Sequence, residues 1–326
     1  MIIARIIPHA GLGNQMFMYA AGLSAAVRIG TELRIGAWDF DNNQFGEETR
    51  PYELKNFPMI TEQQASFREL LKICPGQILM NLLCYKRIKR GDIFRRAIRH
   101  FLGKLRLIPV LGSSEGRRFP YPFRTMRAYI QRSSSLQEFE RIPDNTLLIG
   151  YWESEKYFAG IADTVRRKFT FSPECFKTEL SEKIRSCNSA AIHIRMGDKA
   201  QKDSFLRCSD ERYIKLAIEK LSSLTENPSF FVFSDNMEWC RKNLPLIHDA
   251  EYTFAEGGTP IQDMAMMSIC RHVIIGPSTF SWWAAWLNES PGKIVIAPDL
   301  NLWYKTECFN PNNKKPLLPE RWIKIQ

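Results

Sequence analysis

A histidine, an arginine and an aspartate are spaced along residues 193–198, which read His-Ile-Arg-Met-Gly-Asp. The small and apolar residues before them predict a buried strand, and strand alternation places His193 and Arg195 on one side of it. Ligands of open α/β sheets bind beyond the carboxyl ends of the strands, where the planar fork of an arginine suits phosphate oxygens. The motif predicts an anion clamp at Arg195, with Asp198 in the loop beside it. The alternative is a histidine packed in the core and an Arg–Asp pair on the surface.

Two further polar groups follow apolar runs. Ser234 and Asp235 lie at the end of the strand predicted by FFVFSDN, where a carboxylate can accept two hydrogen bonds from a guanine edge or a ribose. The segment IGPSTFSWW predicts a strand, a turn and a helix start that forms a second anion cradle. The residues of that turn are Ser278, Thr279, Phe280 and Ser281. At both places a plain helix cap is the alternative interpretation.

A glycine turn opens the chain. Gly11 and Gly13 follow a short apolar run and precede a helical pattern, so the free N–H groups of a helix start could bind a phosphate or a polar sugar group. The dinucleotide fingerprint has a third glycine, whereas this chain has Met16 there. An oxidoreductase with a dinucleotide cofactor is therefore a weaker interpretation, and a plain strand-to-helix turn stays open.

Alternating strand and helix patterns must position these groups. Short apolar runs such as TLLIGY, FFVFS, HVIIG and KIVIAP predict buried strands, and segments such as RYIKLAIEKLSSL predict helices between them. This order predicts right-handed βαβ units around parallel sheets. A boundary near 175–187 divides the 326 residues into two α/β domains, 1–178 and 179–326, with a helical insertion at about 61–132.

The positive charge of the chain is concentrated in one segment. The net charge is +10, and residues 86–108 hold nine basic residues and one acidic residue. The rest of the chain is nearly neutral, which argues against a nucleic-acid-binding surface. Apolar residues recur at helical spacing in this segment, so residues 86–106 predict either a peripheral membrane contact or a solvated basic helix packed on the protein.

The sequence gives little support for a metalloprotein, a disulfide-bonded protein or a membrane-spanning protein. The eight cysteines form no C-x-x-C pair, so we expect free thiols in a reducing compartment and no metal. Asp39-Phe40-Asp41 matches a D-x-D motif that is common by chance. The chain has no apolar run of about 18 residues and no signal-peptide pattern, so we expect a cytoplasmic bacterial protein, with the inner membrane face as its site of peripheral contact.

Several segments, in order along the chain, resemble the inverting alpha-1,2-fucosyltransferases of glycosyltransferase family 11. The matching stretches are GLGNQMFMYA, GYWESEKYF, AIHIRMGDK, FFVFSDNMEW and DMAMMSICRHVIIGPSTFSWWAAWLN. The resemblance implies the GT-B type of α/β fold, two Rossmann-like domains facing across a cleft. It also implies transfer of L-fucose from the donor GDP-fucose to the 2-hydroxyl of an acceptor ending in beta-galactose, a glycan or glycolipid precursor, with no cofactor required. Another nucleotide-sugar transferase of the same fold type is the alternative.

The resemblance assigns the donor side to the second domain. Arg195 would hold the pyrophosphate, and His193 and Asp235 would contact guanosine. The turn Ser278–Ser281 would bind phosphate oxygens.

The resemblance assigns the acceptor side to the first domain. Asn14, with Gly11 and Gly13, would line the donor–acceptor junction. We take Arg195, Asp198 and Asn14 as candidate catalytic residues, with the Asp198 carboxylate as the candidate general base. The family usually has an arginine and a tyrosine where this chain has Met196 and Lys199, so a changed acceptor preference is an open expectation.

Overall fold

Two parallel β-sheets organise the part of the chain that the structure describes. The structure is a computed structural model, and it describes residues 1–8, 10–37, 50–73, 128–130 (backbone only), 135–196, 209–246, 250–303 and 317–326. The strands are β1 Ile2–Arg5, β2 Leu33–Gly36, β3 Ala128–Ile130, β4 Thr146–Ile149, β5 Ser189–Ile194, β6 Ser229–Ser234, β7 Tyr252–Phe254, β8 His272–Ile274, β9 Val295–Pro298 and β10 Ile323–Ile325.

Helices connect the strands in both sheets. They are α1 Leu12–Ile29, α2 Phe67–Ile73, α3 Leu136–Glu140, α4 Ala162–Lys168, α5 Glu179–Ser186, α6 Glu211–Ser222, α7 Met237–Asn243, α8 Pro260–Ile269, α9 Thr279–Leu287 and α10 Leu300–Trp303. Short 3₁₀ helices span Leu54–Asn56, Glu155–Tyr157, Ala159–Ile161 and Pro173–Phe176. The predicted α/β fold class is confirmed, and two Rossmann-like halves each hold their own parallel sheet, as the GT-B type implies.

The chain divides into two compact units. Unit 1 comprises Met1–Lys55 and Ile60–Val165, and unit 2 comprises Asn56–Met59 and Arg166–Gln326. The short piece Asn56–Met59 belongs to unit 2 through Phe57, whose ring centroid lies 5.0 Å from that of Phe169 and 5.6 Å from that of Phe171. Unit 2 is therefore built from two separate pieces of the chain.

The sheet of unit 1 has the order β2-β1-β4-β3, and all its neighbouring strands are parallel. Ile2, Ile3 and Ala4 of β1 are buried, as expected of a strand inside a parallel sheet. Helix α1 packs closely on β1, since a Cβ built at Gly22 would come within 2.5 Å of the Ala4 Cβ. The helix ends at Gly30, whose φ of 73° lies in the left-handed region that favours glycine.

The sheet of unit 2 has the order β10-β9-β8-β5-β6-β7, again with all neighbours parallel. All six residues of β5 are buried, and its two neighbours are β6 on one side and β8 on the other. The chain moves from β5 to β6 and β7, then returns to pair β8 on the opposite side of β5. The order of the strands thus reverses between β5 and β8.

Two predictions about boundaries differ from the structure. The predicted domain change after residue 178 lies later than the change of compact unit at Val165. Residues 166–178 stay with unit 2, because Arg166 lies 4.1 Å over the Trp286 ring and Phe169 packs 5.0 Å from the Trp283 ring. The polar stretch chosen as the boundary forms a 3₁₀ helix and α5 rather than a linker. The acceptor and donor roles of the two domains stay predictions.

The insertion predicted as helical at about 61–132 is wrong for its last residues. Strand β3 pairs in parallel with β4 at the edge of the first sheet. The strand lies within the sequence RAYIQR, where charged and polar residues flank its three apolar residues, so no extended apolar run such as HVIIG indicates it. Helix α2 forms the described start of this insertion, and the basic segment 86–108 lies outside the described residues.

Candidate functional site

The reversal of strand order in unit 2 marks the first candidate site. In open parallel sheets, ligands bind beyond the carboxyl ends of the strands at the point where the strand order reverses. Arg195 follows β5 directly, Asp235 follows β6, and Ser278 lies four residues after the end of β8. The structure therefore brings three groups predicted from sequence to one edge of one sheet.

Arg195 is fixed at both its backbone and its side chain. Its guanidinium Nη1 donates to the Asp235 carboxylate, and the second oxygen of that carboxylate accepts from the Met196 N–H at 2.8 Å. The Arg195 N–H donates to the Ser209 Oγ at 2.9 Å, and the Ser209 N–H donates to the Arg195 carbonyl at 3.0 Å. The Arg195 side chain is 20% exposed, so this cation is oriented before any ligand arrives while its surface stays partly open.

The described partner of the Arg195 guanidinium, Asp235, comes from a neighbouring strand. Asp198 lies outside the described residues, so its role as general base stays a prediction. Asp235 comes from the next strand, and the pairing of Ile194 with Ser234 brings the two strand ends together. Both Asp235 oxygens are already bonded within the protein, so Asp235 orients Arg195, and its predicted contact with guanosine would have to be made in addition.

The second anion cradle begins with a capped helix. Ser278 is the N-cap of α9, and its Oγ accepts from the Phe280 N–H at 3.3 Å. The Ser281 side chain is fully buried, and its Oγ–H faces the carbonyls of Gly276 and Ser278 at 3.4 and 3.2 Å. This placement argues against the predicted phosphate contact of Ser281, whose hydroxyl turns back into the helix start. The contacts predicted for Ser278, Thr279 and Phe280 stay predictions.

A close approach joins the ends of β5 and β8. A Cβ built at Gly276 would lie 2.7 Å from the His193 carbonyl oxygen and 3.0 Å from the Ser209 Oγ. His193 is 6% exposed, and its ring centroid lies 5.5 Å from that of Phe280. Position 276 has no room for a side chain, which the sequence alone did not reveal, and this packing makes the two strand ends one rigid surface.

Asp263 is a candidate residue that the sequence reasoning missed. It lies in the first turn of α8, which follows β7 at the same edge of the sheet as Arg195. Burial raises the pKa of its carboxyl to about 6. A Cβ built at Gly258 would come within 2.5 Å of the Asp263 Oδ1, so the loop backbone lies against this carboxylate. A half-buried carboxylate of this kind is a functional candidate, and the available signal was the aspartate that opens the run DMAMMSIC.

The departure at Met196 is accommodated in the fold. Its backbone N–H holds Asp235, as described above, and its side chain packs against the hydrophobic core of unit 2. The side chain therefore lies apart from the guanidinium of Arg195, as strand alternation predicts. Lys199, the second departure, lies outside the described residues.

The second candidate site is the glycine turn of unit 1. Gly11 is the N-cap residue of α1, and a Cβ built there would come 3.3 Å from the Arg50 Nη1. The Leu12 N–H, in the first turn of the helix, donates to the Glu53 carboxylate. The positive end of this helix therefore already faces an anion, and that anion belongs to the protein itself.

The amide of Gln15 ties the glycine turn to the segment 50–53. Its Nε2 donates to the carbonyls of Ala10 and Pro51 at 2.9 and 2.8 Å, and its Oε1 accepts from the Glu53 N–H at 2.9 Å. Gln15 is fully buried, so all three bonds are shielded from water. The turn and the segment form one locally rigid structure.

Asn14 projects from this rigid turn. Its Oδ1 is buried and has no hydrogen-bond partner among the residues that the structure describes. A buried acceptor without a donor costs free energy, and such groups in native structures call for an explanation. A hydroxyl of a bound ligand would be a suitable donor. The predicted residues Gly11, Gly13 and Asn14 thus form one set in unit 1, separate from the set in unit 2.

Other expectations concern metals and membranes. In the ranges that the structure describes, no three His, Cys, Asp or Glu side chains gather as a metal site, and Asp39-Phe40-Asp41 lies outside them. None of the described helices is both long enough and apolar enough to cross a bilayer. The described cysteines, which are Cys175, Cys187, Cys240 and Cys270, are free thiols.

Comparison with known proteins adds a family and several relatives. The sequence model of glycosyl transferase family 11 matches residues 123–325. An alpha-1,2-colitosyltransferase of Escherichia coli is 28% identical over 335 positions, which cover 100% of this chain and 99% of the relative. A galactoside alpha-(1,2)-fucosyltransferase 2 of Hylobates lar is 26% identical over 198 positions, covering 56% of this chain and 55% of the relative. A NodZ alpha-1,6-fucosyltransferase soaked with GDP-fucose aligns with a TM-score of 0.48 at 16% identity, covering 93% of this chain and 96% of that one.

Proposed function

Because this chain belongs to glycosyl transferase family 11, we propose that it is an inverting alpha-1,2-fucosyltransferase. It would move L-fucose from GDP-fucose to the 2-hydroxyl of a glycan that ends in beta-galactose. The observation that carries the proposal is the oriented Arg195 at the strand-order reversal of unit 2. The names of two relatives support the linkage, since one is an alpha-1,2-colitosyltransferase and the other a galactoside alpha-(1,2)-fucosyltransferase.

Unit 2 would bind the donor and stabilise the departing diphosphate. Negative charge grows on the phosphate oxygens as the bond to the sugar breaks, and Arg195 supplies a fixed positive charge for them. The N–H groups at the start of α9 add further donors. A fixed donor of this kind is worth about a hundredfold to a thousandfold in turnover when its removal is measured.

The nucleobase would be held by other groups at the same edge. His193, which is buried against Phe280, and Asp235 are the residues that the family resemblance suggests. We add Asp263, because a desolvated carboxylate in the first turn of α8 suits the N–H groups of a guanine edge. Of these three residues, Asp235 has a second task, because its carboxylate also keeps Arg195 in place.

Unit 1 would contribute to the acceptor. The buried Asn14 Oδ1 is suited to accept a hydrogen bond from a sugar hydroxyl. Deprotonation of the attacking hydroxyl requires a base, for which Asp198 stays our candidate. Substitution Asp198→Asn should reduce turnover strongly, and near-normal turnover would exclude Asp198 as the base.

Colitosyl transfer is the second candidate function. It is favoured by the colitosyltransferase of Escherichia coli, which aligns with the full length of this chain. Colitose is fucose without its 3-hydroxyl group, so both donors present the same diphosphate to Arg195. Relative kcat/KM values for GDP-fucose and GDP-colitose with a common galactoside acceptor distinguish the two functions.

Calorimetry and a transfer assay test the proposal together. We expect the wild-type protein to bind GDP-fucose and GDP and not NAD, and a screen of galactosides with labelled GDP-fucose should identify an acceptor. Substitution Arg195→Ala should weaken GDP binding by about tenfold or more and reduce kcat/KM by about a hundredfold. The matched control is Arg241→Ala, which removes an exposed arginine paired with Glu256 in the same unit. Binding of NAD, or unchanged GDP affinity in Arg195→Ala, would contradict the proposal.

We also propose a cytoplasmic location with peripheral membrane contact through residues 86–106. The support is the sequence alone, because this segment lies outside the described residues. Its basic residues would interact with anionic lipid headgroups and its apolar residues with the acyl boundary. The wild-type protein should float with anionic liposomes, whereas a variant with reversed charges in residues 86–106 should not. Equal flotation of the two proteins would favour the solvated-helix alternative.

A further inference from the structure

The start of α1 differs from a phosphate-binding loop in what it contacts. Phosphate-binding loops leave the N–H groups of a helix start open to a ligand anion. Here the Leu12 N–H is bonded to the Glu53 carboxylate, and the Arg50 guanidinium lies beside both Gly11 and Glu53. A diphosphate at this position would meet a negative charge of the protein at close range. Because the Glu53 carboxylate already occupies the helix start, a phosphate would have to displace it, which argues that the glycine turn does not bind the donor phosphates.

The Glu53 carboxylate is kept in place by its surroundings. Its own backbone N–H is bonded to Gln15, which is fully buried in the first turns of α1. Burial raises the pKa of the Glu53 carboxyl, and the charge of Arg50 and the bond from Leu12 oppose that rise. The Arg50 charge and the Leu12 bond thus favour the charged carboxylate at this position, against the larger effect of burial.

Asn14 lies in the same turn of helix as the residues that Glu53 holds. The Asn14 N–H donates to the Gly11 carbonyl at 2.9 Å, and the Gln15 N–H donates to the same carbonyl at 3.0 Å. Movement of the Gly11–Leu12 peptide would therefore move the buried Asn14 Oδ1. Small displacements of groups that contact a substrate have large effects on rate.

We propose that Glu53 is a positioning residue for sugar transfer, whose carboxylate takes the place of a phosphate at the start of α1 and holds Asn14 toward the acceptor. This inference rests on the proposed function for the role of Asn14. The N-terminal glycine motif then does not indicate a site for a ligand anion, because the anion at this helix start is the Glu53 carboxylate of the protein. The ligand left for the turn is a neutral sugar hydroxyl.

A double-mutant cycle between Glu53→Gln and Asn14→Ala tests the inference. The glutamine keeps the size of the side chain and removes its charge. We expect Glu53→Gln to lower kcat by about tenfold in the wild-type background and by less than twofold in the Asn14→Ala background, since coupled residues give non-additive effects. GDP affinity should stay within about twofold in every variant. The matched control is Glu69→Gln, which removes a carboxylate bonded to the Ser66 N–H and Arg34 in the same unit without lowering kcat.

Equal loss of kcat in both backgrounds, or a parallel loss of GDP affinity, would overturn the inference while leaving the proposed function intact. A wild-type protein that transfers no sugar would refute the proposed function instead. If the wild-type protein transfers no sugar, a measurement that does not depend on turnover still tests the position of Glu53. In an Arg195→Ala background, inorganic phosphate should raise the Tm of Glu53→Ala more than the Tm of the parent, because the helix start is then open to an anion. An equal Tm shift would show that Glu53 does not occupy an anion position. If Glu53→Gln unfolds, Glu53→Asp provides the same comparison, since its shorter side chain withdraws from Leu12.

Discussion

A methyl group at position 276 would perturb the proposed donor site without removing any functional group. In Gly276→Ala, the new Cβ would lie 2.7 Å from the His193 carbonyl oxygen and 3.0 Å from the Ser209 Oγ. Ordinary contacts of this kind begin at 3.4 Å, so the backbone has to move by roughly 0.4 to 0.7 Å. The His193 carbonyl is part of β5, and Ser209 holds the backbone of Arg195. The displacement therefore reaches the residue that we propose to bind the diphosphate.

The size of the effect follows from the packing. Overpacking of a well-packed interior costs about 1–3 kcal/mol. For a unit of this size each kcal/mol lowers the Tm by about 2–4 °C, so we expect a decrease of about 2–12 °C. A misplacement of about 1 Å can cost a hundredfold in rate, so half that displacement should lower kcat by about tenfold.

Thermal unfolding and the transfer assay measure the two effects, with Gly160→Ala as the matched control. Position 160 has no atom within 4 Å of the built Cβ, so this substitution should leave both the Tm and kcat unchanged. If Gly276→Ala matched Gly160→Ala in both measurements, the ends of β5 and β8 would not be the rigid surface inferred here.

Three further predictions concern the two candidate sites. Burial raises the folded-state pKa of Asp263 to about 6. The protonated carboxyl therefore contributes to the stability of the folded state below its unfolded pKa, and this contribution is lost as the pH rises through about 6. Asp263→Asn should therefore be more stable than the wild type at pH 7.5 by about 1 kcal/mol after allowance for solvent screening. It should also bind GDP more weakly. Equal unfolding curves of the two proteins at pH 7.5 would contradict the predicted gain in stability. Asn14→Ala should keep the GDP affinity, measured by calorimetry, and lose most transfer, because we propose that its amide contacts the acceptor. Ser281→Ala should leave the GDP Kd within about twofold, since its hydroxyl faces backbone carbonyls, and a tenfold weaker Kd would restore the predicted phosphate contact.

The strands of unit 2 could be predicted because their apolar runs are continuous. Parallel strands are buried on both faces, so β5, β6 and β8 stand out from the amphipathic helices between them. The position of Arg195 followed from alternation along β5. Its partner could not be predicted, because Asp198 and Asp235 are both near a strand end in the sequence. The register of β5 and β6, with Ile194 opposite Ser234, brings Asp235 to Arg195.

The glycine turn shows the limit of a local motif. Its spacing correctly indicates a strand, a turn and a helix start, and these are set by residues close together in the sequence. The group that contacts the start of α1 is the Glu53 carboxylate. Glu53 is distant from Gly11 in the sequence, and no local pattern connects the two residues. Strand β3 was missed for a related reason, since an edge strand of three residues is defined by its pairing with β4 and not by its own composition.

The short piece Asn56–Met59 has a consequence for the construction of hybrid enzymes. Because Phe57 packs against Phe169 and Phe171, unit 2 includes an aromatic residue that is encoded more than a hundred positions before the rest of it. A chimera that joins the first 165 residues of one family member to the remainder of another would combine a phenylalanine from one parent with a pocket from the other. Donor and acceptor preferences should therefore recombine cleanly only when residues 56–59 are exchanged together with the C-terminal unit.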